Sequence, residues 1–147
     1  MRKVNIFIVV CLLLLSTAFL HAQTAAELEV ILEVPVVKYS EATLFVLGAI
    51  DGSAGNDAFS QAGDRGWLPK KAEPDDPVTM GGLSFLMMKA FGIKGGMMYA
   101  IFPGPRYAYR TMTARSLIQG TSDPAMSVSG ERFLQILGNV LSVAGGE

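Results

Sequence analysis

The chain has 147 residues, half of them hydrophobic, with 12 basic against 13 acidic side chains. That is room for one small domain, and it lacks the excess of basic residues that a nucleic-acid-binding face demands. The only cysteine, Cys11, and the only histidine, His21, both fall within the first 22 residues. The remainder therefore has no disulfide or thiol chemistry to draw on.

Met1-Arg2-Lys3 supplies positive charge, Ile6 to Leu15 is an unbroken apolar run, and small residues follow up to Ala22. This is the layout of a secretory signal peptide over residues 1–22. The competing reading, an uncleaved anchor, needs about 20 apolar residues for a span, and this run is shorter. Cys11 follows Val10, not the small residue of a lipoprotein signal, so it belongs to the hydrophobic run. Without Arg2 and Lys3, 10 basic residues face 13 acidic ones, a net charge near −3 over residues 23–147.

Ala25 to Glu33 reads as a short helix or an extended segment that Pro35 stops. The next helix has Ala42, Phe45, Val46, Ala49 and Ile50 on one face at helical spacing. A glycine-rich loop follows, then a helix from Ala58 to Arg65 with Asp57 as its candidate cap. Gly66 ends it in a left-handed conformation. Beyond Trp67-Leu68-Pro69, the turn Pro74-Asp75-Asp76-Pro77 leads to Thr79, a helix cap, and to the stripe Leu83, Leu86, Met87, Ala90 and Phe91. Met97 to Phe102 is an apolar bridge, helix or strand, ended by Pro103-Gly104-Pro105. A helix is predicted from Arg106 to about Ser116. The last runs from Ser129 to about Val143, with Phe133, Ile136, Leu137, Val140 and Leu141 as its stripe.

A shift of 50 residues lays Ala58–Phe91 on Ala108–Leu141 without a gap, matching Trp67-Leu68 with Leu117-Ile118, Pro74 with Pro124, and Val78-Thr79 with Val128-Ser129. A shift of 41 lays Val37–Ile50 on Val78–Phe91. The expected architecture is all-α: about two and a half helix–loop–helix copies (a half copy over 36–51, copies over 58–92 and 106–143) packed into one core.

The turn Pro74-Asp75-Asp76-Pro77-Val78-Thr79, the preceding Gly66-Trp67-Leu68, the second copy's Asp123-Pro124, Val128-Ser129, Glu131 and Phe133, and the pair Tyr107-Ala108 together resemble the S-layer homology (SLH) domain. The resemblance covers roughly Val36 to Val143. It implies an exported, non-enzymatic module with a binding or scaffolding role in the bacterial cell envelope or periplasm. The ligand it implies is a cell-wall polymer bound through an Arg that opens the second helix. At that position this chain has Tyr39, Met80 and Gly130. A guanidinium is what a carboxylate-bearing glycan needs for a bidentate contact. Its absence sets a second reading beside the first, a periplasmic protein–protein adaptor that has lost glycan binding. Neither reading calls for a cofactor, a metal, nucleic acid or a membrane span after cleavage.

The candidate ligand-binding residues are Trp67, Arg106, Tyr107, Tyr109 and Arg110. Arg106 and Arg110 lie i, i+4 on one predicted helix, with Arg115 beyond and tyrosines beside them, a cationic aromatic face suited to anionic glycan or an acidic partner. Trp67 offers a stacking surface for sugar, but its repeat partner Leu117 points to core or groove lining. Met80, Met87, Met88, Met97 and Met98 sit beside Leu and Phe at helical spacing and read as core filling. No serine elbow, phosphate loop or metal cluster appears, and catalytic residues are not expected.

Overall fold

The computed structural model describes residues 26–52, 55–120 and 122–145; the leader expected over 1–22, with Cys11 and His21, lies outside them. Two units are distinguished, Met1–Glu33 and Val34–Glu147. In the first, residues 26–33 are helical (α1), which settles the choice between helix and extended chain. The second contains α2 (Tyr39–Asp51), α3 (Ala58–Asp64), α4 (Met80–Ala90), α5 (Met97–Ile101), α6 (Pro105–Ala114) and α7 (Gly130–Ala144). Among the described residues there are no strands, only two isolated bridges, Lys38 with Pro77 and Thr79 with Ser127. The fold is all-α.

The helices start where the caps are. Thr79 Oγ1 accepts from the Gly82 N–H at 3.1 Å, and Ser129 Oγ from the Arg132 N–H at 3.3 Å. Each satisfies a donor that the first turn leaves free. Lys38, ahead of α2, has no such side chain; instead the Glu41 carboxylate accepts its backbone N–H at 2.9 Å. Asp57, expected to cap α3, makes no side-chain cap bond, so α3 begins without that help.

Helix ends repeat as closely as their beginnings. Gly66 is left-handed at φ 70°, and Ser116, 50 residues on, is left-handed at φ 59°. The Trp67 N–H reaches back to the Ala62 carbonyl at 2.9 Å, and the Leu117 N–H to that of Met112 at 3.0 Å. Each reversal turns an apolar residue toward the core: Leu117 and Ile118 are buried, while Trp67 and Leu68 are half-buried.

At the centre, Val37, Val78 and Val128 close a ring. The Val78 N–H donates to the Val37 carbonyl (2.8 Å), Val37 to Val128 (2.8 Å) and Val128 to Val78 (3.0 Å). All three side chains are excluded from water. A second cycle surrounds the first, since the leading N–H of each following helix donates to the neighbouring turn: Tyr39 to Asp76 (3.1 Å), Met80 to Met126 (2.8 Å) and Gly130 to Val34 (2.9 Å). Six backbone donors that would otherwise be buried unpaired are thereby satisfied.

Around this hub the closest helix pairs join different segments of the repeat pattern. α2 packs on α3 and α4 on α6, with α5 resting on α6. An amphipathic hairpin that cannot cover its own face covers its neighbour's. The exposure pattern departs from single stripes. α4 is buried from Met80 through Met88 on every side, so it is the central helix, not a surface one. In α2, Thr43 and Leu47 are buried while Ala49 and Ile50 are exposed, and in α7 Leu141 is exposed. Those three stripe positions lie at helix ends that run past the core. Phe45 of α2 meets Phe133 of α7 edge to face, with ring centroids 5.9 Å apart.

Met80-Gly81-Gly82 explains how α4 fits so tightly. A Cβ on Gly81 would come within 3.2 Å of the Pro124 carbonyl and 3.4 Å of the Pro105 side chain, while one on Gly82 would land on the Tyr39 hydroxyl. The two glycines let α2, α6 and the Pro124 turn approach the α4 backbone.

Candidate functional site

Pro105 opens α6 at the position where a missing N–H costs nothing. The helix buries only Ala108 and Met112 and turns its arginines outward. Arg106, Arg110 and Arg115 are all exposed, and Tyr107 is half-buried between two concavities. One, of about 560 Å³, is lined by Tyr107, Arg110 and Arg115 together with Met97, Met98 and Tyr99. The other, of about 550 Å³, is lined by Arg106 and Tyr107 with Lys70, Ile101 and Phe102. Both are open to solvent, and neither has an acidic side chain in its wall.

The face expected from Arg106 and Arg110 is thus divided. Although four residues apart on one helix, they serve different hollows, with Tyr107 common to both. Tyr99 lines the Arg110–Arg115 hollow; its hydroxyl is buried without a hydrogen-bond partner, the one such side-chain atom among the described residues. Burial pushes the Tyr99 phenol above its ordinary range, because the charged form is desolvated there.

Two expected residues do other work. The Tyr109 hydroxyl donates to the Ser122 carbonyl and lies 3.0 Å from Ser122 Oγ, tying α6 to the following loop. Tyr109 is a strut, and it lines neither hollow. Trp67 also lines neither; the Arg65 guanidinium lies over its ring at 4.8 Å and pairs with Asp51 at 3.2 Å. One face of the ring thus carries a cation.

The methionines split. Met80, Met87 and Met88 fill the core as expected, but Met97 and Met98 are exposed, and α5 has no buried residue at all. Met97 to Phe102 is therefore not an interior bridge. The run between Gly95-Gly96 and Pro103-Gly104-Pro105 has no polar face, so periodicity could not orient it.

Among the described residues, no group of three or more His, Cys, Asp and Glu side chains comes together. No protein-family model, curated protein or solved structure matches this chain.

Proposed function

We propose that the chain is an exported, non-enzymatic module similar to the S-layer homology domain, with a binding or scaffolding role in the bacterial cell envelope and an anionic cell-wall polymer as its ligand. The observation that carries this reading is the closed ring of Val37, Val78 and Val128. These are the three positions that the 41- and 50-residue shifts make equivalent, and such a ring is what three copies of one turn-and-cap unit produce when they share a core. The binding surface in this reading is the Arg110–Arg115 hollow, with Tyr99 and Tyr107 in its wall. Two guanidiniums flanking tyrosines match the carboxylate and ring faces of an acidic glycan.

Retention of the purified chain on delipidated cell-wall material at low salt tests it. Binding is expected to fall about tenfold or more in Arg110→Ala/Arg115→Ala, which removes both guanidiniums that would hydrogen-bond the polymer's anionic groups. No retention of the parent chain sinks the glycan reading.

A specific observation supports the second reading, a protein–protein adaptor. Tyr39, Met80 and Gly130, at the position of the family's Arg, are all buried, with their N–H groups engaged in the hub. Those positions hold the copies together and present no charge. Co-purification from envelope extracts of a protein partner that survives glycan digestion is the outcome this reading expects.

A further inference from the structure

Glycan binding leaves α5 unexplained. Four of its side chains or its immediate followers stand in water: Met97 is 78 % exposed, Met98 47 %, Ile101 59 % and Phe102 61 %. A glycan in the Arg110–Arg115 hollow would lie against Met97 and Met98 at most, and leaves Ile101 and Phe102, which line the other hollow, uncovered. Scattered apolar exposure is ordinary, but four large side chains on one projecting turn form a patch.

The charge around that patch has one sign. Between Asp76 and Asp123 the sequence has no acidic residue, and its charged side chains are Lys89, Lys94, Arg106, Arg110 and Arg115. The geometry brings cations to both flanks of α5. Arg110 and Arg115 share a hollow with Met97 and Met98, and Lys70 and Arg106 share the other with Ile101 and Phe102. All four cations are exposed. This cationic face belongs to a chain whose charge is slightly negative overall, so the asymmetry is local.

We propose that α5 is a peripheral docking element for an anionic lipid bilayer. Met97, Met98, Ile101 and Phe102 enter the interfacial layer while Lys70, Arg106, Arg110 and Arg115 meet the headgroup phosphates. Apolar insertion combined with attraction to anionic lipid is how surface-bound elements hold to membranes. Tyr99 and Tyr107, beside the patch, are the residue type that favours the headgroup level. α5 is five residues long and buries none of them. An acidic protein partner would need a shaped apolar groove to receive four projecting side chains, whereas a bilayer receives them without one. The inference shares Arg110 and Arg115 with the glycan reading but does not rest on it: the label at position 101 reports lipid contact at the other hollow, and retention on delipidated cell wall reports glycan, so either can fail alone.

The test is a position-specific one in the full chain. With Cys11→Ser removing the native thiol, Ile101→Cys carries an environment-sensitive fluorophore, and the chain is mixed with vesicles of equal parts phosphatidylcholine and phosphatidylglycerol. The expected result is a blue-shifted, brighter emission on the mixed vesicles and little change on phosphatidylcholine alone. Apparent affinity should drop about tenfold or more in Arg110→Glu/Arg115→Glu, since each basic residue near an anionic surface contributes measurably. An unchanged emission on the mixed vesicles overturns the proposal even if the apolar leader carries the chain into the pellet, because the label reports position 101. An equal response on phosphatidylcholine alone also overturns it, as does a shift that appears without lipid and grows with protein concentration, which would assign the face to a second copy of the chain.

Discussion

The Tyr39 hydroxyl fills the space that a side chain on Gly82 would occupy. The contact joins α2 to the first turn of α4 next to the Thr79 cap, and it decides the sign of a substitution that helix propensity alone would get wrong. Gly→Ala inside a helix ordinarily gains up to ~1 kcal/mol, whereas forcing an atom into a packed site costs ~1–3 kcal/mol. Gly82→Ala is therefore expected to destabilise. Tyr39→Phe should recover part of the loss, though not all, because the ring carbon bearing the hydroxyl is itself only 3.0 Å from the added Cβ. Urea denaturation of the two single variants and the double variant measures this; additive losses would show that the clash is relieved elsewhere.

The ring of valines predicts equal sensitivity at three distant positions in the sequence. Val37, Val78 and Val128 are equally buried, and each both donates and accepts in the ring. Alanine at any one removes two methyl groups from a packed interior and should cost about 2 kcal/mol. Thermal melts of the three variants should then fall together, and one that stays near the parent melting temperature would remove that position from the hub.

Ser116 offers a gain in stability. It is the one residue other than glycine with a positive φ among those described, 59°, and it stands 50 residues after the left-handed Gly66. A left-handed residue with a Cβ carries a strain of roughly 1 kcal/mol that glycine does not. The side chain is exposed, so Ser116→Gly should raise stability by up to about 1 kcal/mol. The reciprocal Gly66→Ser should lower it. Denaturant midpoints that move in the same direction for both variants would contradict the backbone argument.

Alkaline pH should weaken the fold through Tyr39. Its phenol is raised above the ordinary value of 10.0, chiefly because burial penalises the phenolate, with Asp76 adding to the effect and the Thr79 hydroxyl opposing it. The unfolded chain releases this proton first, so the folded state binds more protons above pH ~10 and stability falls as pH climbs from there. Below that range the contribution to folding is constant. The midpoint of urea denaturation should decline above pH ~10 in the parent and decline less in Tyr39→Phe. Lys38, raised by its hydrogen bond and charge pairing with Asp75, titrates in the same direction, but it is exposed and its pairing is screened by water, so it contributes little.

Residues 26–33 and Met97–Ile101 were left open between helix and extended chain, whereas most helix positions, the Thr79 and Ser129 caps and the reversal at Gly66 were legible from the sequence. Each depends on residues close together in the chain: an oxygen within reach of the next turn's N–H groups, a glycine at a helix end, an apolar spacing. Only the tertiary structure decided what Met80-Gly81-Gly82 is for. In sequence it is the place where the family that the chain resembles would carry an arginine; in space it is the seam where α4 meets Tyr39, Pro105 and Pro124. The candidate site divided the same way. The cations of α6 were readable, but Tyr109 proved a strut and Trp67 a platform for Arg65, because hydrogen bonds to Ser122 and contact with Arg65 join residues whose partners no local pattern announces. The exposed turn of α5 escaped sequence reading for a physical reason: a run with no polar face has the same composition whether it is buried or stands in water, and only the packing around it distinguishes the two.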